Sequence, residues 1–158
     1  MFVIDQIDDD IVDYSLGLLE EAKSLDGVKV DVDSTYTFNG IQTTNIEMCY
    51  SDAQKLRILK DRFPYQSLHH MHLIEYFEGG YQERHDHKKY EDYTFIIYLN
   101  DADGDTLFYF NDETIRVTPK RGQILLFSAD ILHEGLPSYQ SKKVLVGAII
   151  LNTDSFKS

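Results

Sequence analysis

The sequence predicts a mainly β fold, a jelly roll with helices packed against its outside. Three observations lead there. Apolar spacing changes from helical to strand-like at Pro64. Eight short strand-like segments follow at close spacing, divided by turn residues, as in a sandwich or barrel. Several of them, notably Thr94 to Leu99 and Val144 to Leu151, are apolar on both faces. Such a strand needs cover on both sides, from helices or an opposing sheet on one and from a barrel interior on the other.

Residues 10–25 read as the first helix. Ile11, Ser15, Leu18, Ala22 and Leu25 recur at steps of four and three and share one face. The run Asp8-Asp9-Asp10 suits a helix N-terminus, and Gly27 suits its end. A second helix is expected over residues 52–63. Ser51 and Gln54 make a capping-box pattern, Ala53, Leu56, Leu59 and Phe63 form a stripe, and Pro64 stops it. Strands are expected over 70–77, 81–87, 93–100, 106–110, 114–118, 123–127, 131–135 and 142–151. Glu78-Gly79-Gly80, residues 100–104, Asn111-Asp112 and residues 119–122 supply the turns between them. No repeat or linker composition divides the chain. The expectation is one domain over 1–158, with a helical N-terminal part, 1–64, and a β core over about 68–152.

A chain of 158 residues suits a single domain, and 42% hydrophobic content fills a core. The net charge of −12 opposes nucleic-acid backbones and anionic membranes, so neither is expected as a partner. No apolar run approaches the roughly 20 residues that span a bilayer. Cys49, the only cysteine, excludes an intramolecular disulfide and a thiolate metal cage. The first residues lack the basic and apolar regions of a signal peptide. A cytoplasmic location is expected.

Six histidines occur: His69, His70, His72, His85, His87 and His133. Side chains alternate along a strand, so His85 and His87 point to one face. Two imidazoles held two residues apart on a strand make half of a metal site, and His133 is the one later histidine able to join them. Read by spacing alone, the same residues equally suit a solvated edge. His69, His70 and His72 read as structural or surface groups.

The surroundings of these histidines resemble those of prolyl hydroxylases, of the 2-oxoglutarate- and Fe(II)-dependent dioxygenase superfamily. Tyr76 to His87 resembles that family's tyrosine, glycine turn, aromatic and His-x-Asp. Tyr98-Leu99-Asn100 resembles its Tyr-Leu-Asn strand end, and Asp103 to Phe108 its Gly-Gly-Glu-Thr-x-Phe segment. Val117 to Phe127 resembles its Val-x-Pro-x-x-Gly-x-x-Leu-x-Phe stretch. His133 followed by Lys142-Lys143 resembles its distal histidine and basic residue. These five segments stand in the family's order across about residues 68–152.

The resemblance implies a double-stranded β-helix, the cupin-like form of the jelly roll. It also implies Fe(II) on three protein ligands, leaving positions for 2-oxoglutarate and dioxygen. The expected activity is hydroxylation of a C–H bond in a protein or peptide side chain, such as Pro, or in a small molecule. Ascorbate dependence is implied by the resemblance alone. A cation must also meet the distal (C5) carboxylate of 2-oxoglutarate. Lys142 and Lys143, nine and ten residues beyond His133, are both candidates. Strand alternation sends one inward, and Lys142 is favoured because Val146 and Ala148 on its face leave room. Tyr98 shares the inner face with Thr94 and Ile96 and resembles the family's tyrosine that hydrogen-bonds the same carboxylate. Tyr76 is a further candidate, toward the metal-proximal end of the cosubstrate.

The chain departs from the family at His85-Asp86-His87, where His87 stands in the carboxylate's place. Three explanations compete. The centre has three histidines, His85, His87 and His133. Or a bulge turns Asp86 inward. Or the site is degenerate. Two other functions follow from these alternatives: a three-His cupin-like dioxygenase that does not use 2-oxoglutarate, and a non-enzymatic jelly-roll binding module.

Overall fold

The structure, a computed structural model, describes residues 2–30, 37–50, 66–86 and 92–151. The expected helix over 52–63 lies outside the described residues, as does His87. The first expected helix is α1, Asp9–Ser24, with Asp9 and Asp10 in its first turn and Lys23 in its last. Its buried face is Ile11, Val12, Ser15 and Leu19. The stripe is therefore rotated slightly from the expected one. Leu25 is the C-cap and is 72% exposed, because the helix closes beneath it through Gly27 N–H to the Ala22 carbonyl at 2.7 Å.

Ten strands are described: β1 Phe2–Gln6, β2 Val28–Val30, β3 Thr37–Thr43, β4 Gln66–His85, β5 Tyr93–Tyr98, β6 Thr106–Phe110, β7 Glu113–Val117, β8 Gln123–Ser128, β9 Leu132–Gly135 and β10 Lys142–Leu151. The N-terminal part is thus not purely helical. β1 pairs β8 at one edge, and β2 and β3 extend the sheet beside β4. The strand order β1-β8-β5-β10-β4-β9-β6-β7 is antiparallel throughout and curls into a half-barrel. β4 is the hinge of the curl. Residues Gln66 to Tyr76 pair β10, and Gln82 to His85 pair β9.

Two strands were expected where the structure has the single 20-residue β4. Glu78-Gly79-Gly80 makes a bulge in it rather than a turn. Gly79 adopts φ +79°, and a Cβ on Gly80 would lie 2.4 Å from the Asn39 carbonyl oxygen, so glycine alone lets β3 and β4 slip register there.

Alternation along the strands sorts the core into two layers. Met71, Leu73, Phe95, Ile97, Ile124, Leu126 and Leu145 face Ile11, Val12 and Leu19 of α1. Their neighbours Ile74, Tyr76, Ile96, Tyr98, Leu125, Phe127 and Val144 face Phe108 and Val117 inside the curl. This is the two-sided burial that the apolar strands demanded. Among the described residues no helix is long and apolar enough to cross a membrane.

Packing on the helix side is tight at Gly147, where an added Cβ would lie 2.2 Å from Cζ of Phe95. Gly147→Ala is expected to destabilise the protein by about 1–3 kcal/mol through overpacking. An unfolding free energy from urea titration lowered by that amount checks it.

Candidate active site

Two of the three histidines meet across the β4–β9 ladder. His85 and His133 are register partners, are 5% and 1% exposed, and have ring centroids 4.3 Å apart. Both are held by the same local device. Nδ1 of His85 lies 2.6 Å from the Glu83 carbonyl oxygen, and Nδ1 of His133 lies 3.1 Å from that of Ile131. A carbonyl only accepts, so each Nδ1 carries a proton and Nε2 is the nitrogen left to meet a metal. That is the tautomer a metal-ligating imidazole needs. Phe127 meets the His133 ring edge-on at 4.9 Å and Phe108 stacks on it at 5.8 Å, fixing its plane.

Among the described residues no third His, Cys, Asp or Glu joins the pair. Asp86 is half-buried and is not brought to the two rings. The one register shift between β4 and β9 lies between Gln82 and His85, ahead of the histidine rather than at Asp86.

A cavity inside the curl is lined by Tyr76, Gln82, Tyr98, Thr106, Gly135 and Lys142 over an apolar floor of Ile96, Val144 and Val146. Gln82 and Gly135, register partners in its wall, lie on the same two strands as His85 and His133, so the cavity holding Lys142 sits farther along the ladder that pairs the histidines. Lys142 is 2% exposed. Its Nζ donates to the Gly104 carbonyl at 3.1 Å and lies 5.2 Å from the centre of the Tyr76 ring. Among the described residues no carboxylate pairs with it. Burial pushes its pKa down to about 8, opposed by the charges of Asp105 and Asp103. A Cβ on Gly104 would fall 2.5 Å from the Leu136 carbonyl oxygen, so only glycine brings that acceptor so close.

Lys143, the alternative, lies on the opposite face. It pairs Glu75, which is ion-paired to Lys23 of α1 at 2.8 Å. Tyr98 is 1% exposed, and its hydroxyl hydrogen-bonds Thr106 Oγ1 at 2.5 Å. Burial pushes its pKa up, so it remains a donor. Tyr76 sits beside Lys142, its direct partner across the β4–β10 ladder. His70 and His72 lie farther along β4, opposite Ala148 and Val146, with ring centroids 5.4 Å apart. His72 lies 3.0 Å from the Thr43 carbonyl oxygen, and burial lowers its pKa.

Sequence reasoning missed Gln82, Thr106 and Gly135. Thr106 was within reach, since it alternates inward with Phe108. Gln82 was not, because two register shifts, one at the bulge and one before His85, decide which way it points.

The described residues thus form a curled antiparallel half-barrel with two buried, register-paired histidines and, on the same two strands, a cavity holding a buried lysine. The chain belongs to the 2OG-Fe(II) oxygenase superfamily, whose family model matches residues 71–149, half of the sequence. Its members use Fe(II) and 2-oxoglutarate. No match was found among curated proteins. Among solved structures, a prolyl-4-hydroxylase from Pseudomonas putida matches with a TM-score of 0.75 at 15% identity, over 95% of this chain and 92% of that one. A Trichoplax adhaerens prolyl hydroxylase, solved with a hypoxia-inducible-factor peptide fragment, matches at 0.74 and 14%, over 99% and 86%. HygX from Streptomyces hygroscopicus, solved with nickel and 2-oxoglutarate, matches at 0.70 and 10%, over 95% and 82%. Likeness at these identities shows the fold, the expected double-stranded β-helix.

The residues present fit the superfamily's cofactors. Two imidazoles that each turn Nδ1 to a carbonyl and leave Nε2 for a ligand suit a divalent metal, and a buried ammonium without a carboxylate suits the far end of a dicarboxylate.

Proposed function

We propose that this chain is a 2-oxoglutarate-dependent hydroxylase acting on a C–H bond of a protein or peptide side chain, or of a small molecule. His85, His87 and His133 would hold Fe(II). Lys142 and Tyr98 would bind the C5 carboxylate, with Tyr76 against the Lys142 ammonium. The observation that carries the reading is a buried lysine in a cavity walled by the same two strands, β4 and β9, that bring His85 and His133 together. His87 is preferred over Asp86 because Asp86 does not join the pair. Substitution of a carboxylate by a neutral imidazole makes the site one unit more positive, which favours a dianionic cosubstrate. The one cysteine suits a reducing compartment, and a cytoplasmic location is part of this proposal.

When bound, Fe(II) with 2-oxoglutarate and dioxygen supplies the oxidising power, releasing succinate and carbon dioxide. The protein's own residues do the rest. Lys142 neutralises the distal carboxylate as it leaves water, the Tyr98 hydroxyl orients it, and Ile96, Val144 and Val146 exclude water from its carbon chain. The Glu83 and Ile131 carbonyls hold both imidazoles in the ligating tautomer.

A pH dependence follows. Lys142 in the free protein loses its proton near pH 8, whereas the bound dicarboxylate holds that proton on. The 2-oxoglutarate dissociation constant should be flat below pH 8 and rise by about tenfold per pH unit above it. Calorimetry in buffers of different ionisation enthalpy checks this through proton uptake on binding. The function itself is tested by succinate release from 2-oxoglutarate under air with Fe(II). No release with any peptide or small-molecule pool would return the chain to the binding-module reading.

A further inference from the structure

β10 begins at Lys142 with β4 alone along one flank, through the pair Lys142–Tyr76. On the other flank β5 ends at Tyr98, and its last main-chain contribution is Leu99 N–H to the Lys143 carbonyl at 2.9 Å. The next groups come from a side chain. Asn100 Nδ2 donates to the Ser141 carbonyl at 2.7 Å, and Asn100 Oδ1 accepts the Lys143 N–H at 2.9 Å. A carboxamide carries the same donor and acceptor as a peptide group, so Asn100 continues the ladder after the main chain has turned away.

The two backbone groups it binds flank Lys142. With residues 141 and 143 both held, alternation leaves Lys142 one direction, into the cavity, where Gly104 takes its ammonium. From the opposite face Glu75 accepts the Ser141 hydroxyl at 2.8 Å and Lys23 at 2.8 Å, tying the same residue to α1.

We infer that Asn100 is a positioning residue for the distal-carboxylate subsite, acting through Lys142 by clamping the strand on either side of it. This inference rests on the reading of Lys142 as the C5-carboxylate cation. It predicts a selective defect: the far end of the cosubstrate is felt, the metal end is not.

The test uses the full chain loaded with Mn(II), titrated with 2-oxoglutarate and with pyruvate, a 2-oxo acid that lacks the distal carboxylate. Asn100→Ala is expected to weaken 2-oxoglutarate by about tenfold, the worth of roughly one well-formed hydrogen bond. Pyruvate affinity should be unchanged, and the Lys143 amide should exchange faster with deuterium. Asn100→Asp keeps the acceptor for Lys143 but sets a carboxylate oxygen against the Ser141 carbonyl, so it should weaken 2-oxoglutarate at least as much as alanine does. Equal weakening of both ligands, or no change in either, overturns the inference. Lys142→Ala run alongside separates the two claims. If it weakens 2-oxoglutarate while Asn100→Ala does not, only the clamp fails. If it leaves 2-oxoglutarate unaffected, the cation assignment itself fails.

Discussion

Lys142→Ala is expected to raise the 2-oxoglutarate dissociation constant by on the order of a hundredfold or more and to leave metal affinity nearly unchanged. A dicarboxylate entering this cavity gives up hydration, and the apolar floor of Ile96, Val144 and Val146 returns none of it. Removing one member of a desolvated charge pair costs about 3–5 kcal/mol, and about 1.4 kcal/mol is a factor of ten. Lys142→Met keeps the volume of the stem and separates charge from packing. It should behave like alanine. Lys143→Ala should bind 2-oxoglutarate as the wild type does, because its side chain is on the α1 side of the sheet with Glu75. Titration calorimetry on all three variants checks the contrast.

His133→Ala should do the reverse and abolish metal binding, with cosubstrate binding lost as a consequence. Three ligands hold the ion in this account, and His133 is the most deeply buried of those described. Its ring also packs against both Phe108 and Phe127. The alanine variant therefore opens a cavity and should lose about 2–3 kcal/mol of stability as well. His133→Gln retains more of the volume and lacks the imidazole lone pair, so it should lose the metal with a smaller drop in stability. Visible absorbance of added Co(II), set against thermal unfolding, distinguishes a missing ligand from a damaged fold.

Much of this site was legible because strand alternation carries it. Thr94, Ile96 and Tyr98 face inward along β5, as a regular strand requires. Lys142 faces inward because β10 is regular until the shift between Ala148 and Ile149, beyond the cavity. Alternation fails where backbone geometry intervenes. Gly79 and Gly80 read as a turn, yet the same glycine permissiveness builds a bulge inside β4, and that choice depends on β3 lying alongside. β1, β2 and β3 were not foreseen. They are short, they flank a strongly periodic helix, and β1 is held by pairing with β8, more than a hundred residues away in sequence. Long-range pairing leaves no local mark. The role of Asn100 was hidden for a different reason: it looks like turn punctuation until its carboxamide is seen bridging Ser141 and Lys143.

The most direct test of the account is an anaerobic Fe(II) titration with and without 2-oxoglutarate, followed in the visible region. The account predicts one Fe(II) per chain and a metal-to-cosubstrate charge-transfer band that appears only when 2-oxoglutarate is present. The band should be absent in His133→Ala and should need far more 2-oxoglutarate in Lys142→Ala. Fe(II) binding without the band would contradict use of 2-oxoglutarate and favour the three-His cupin-like reading. No Fe(II) binding at all would contradict the metal centre itself.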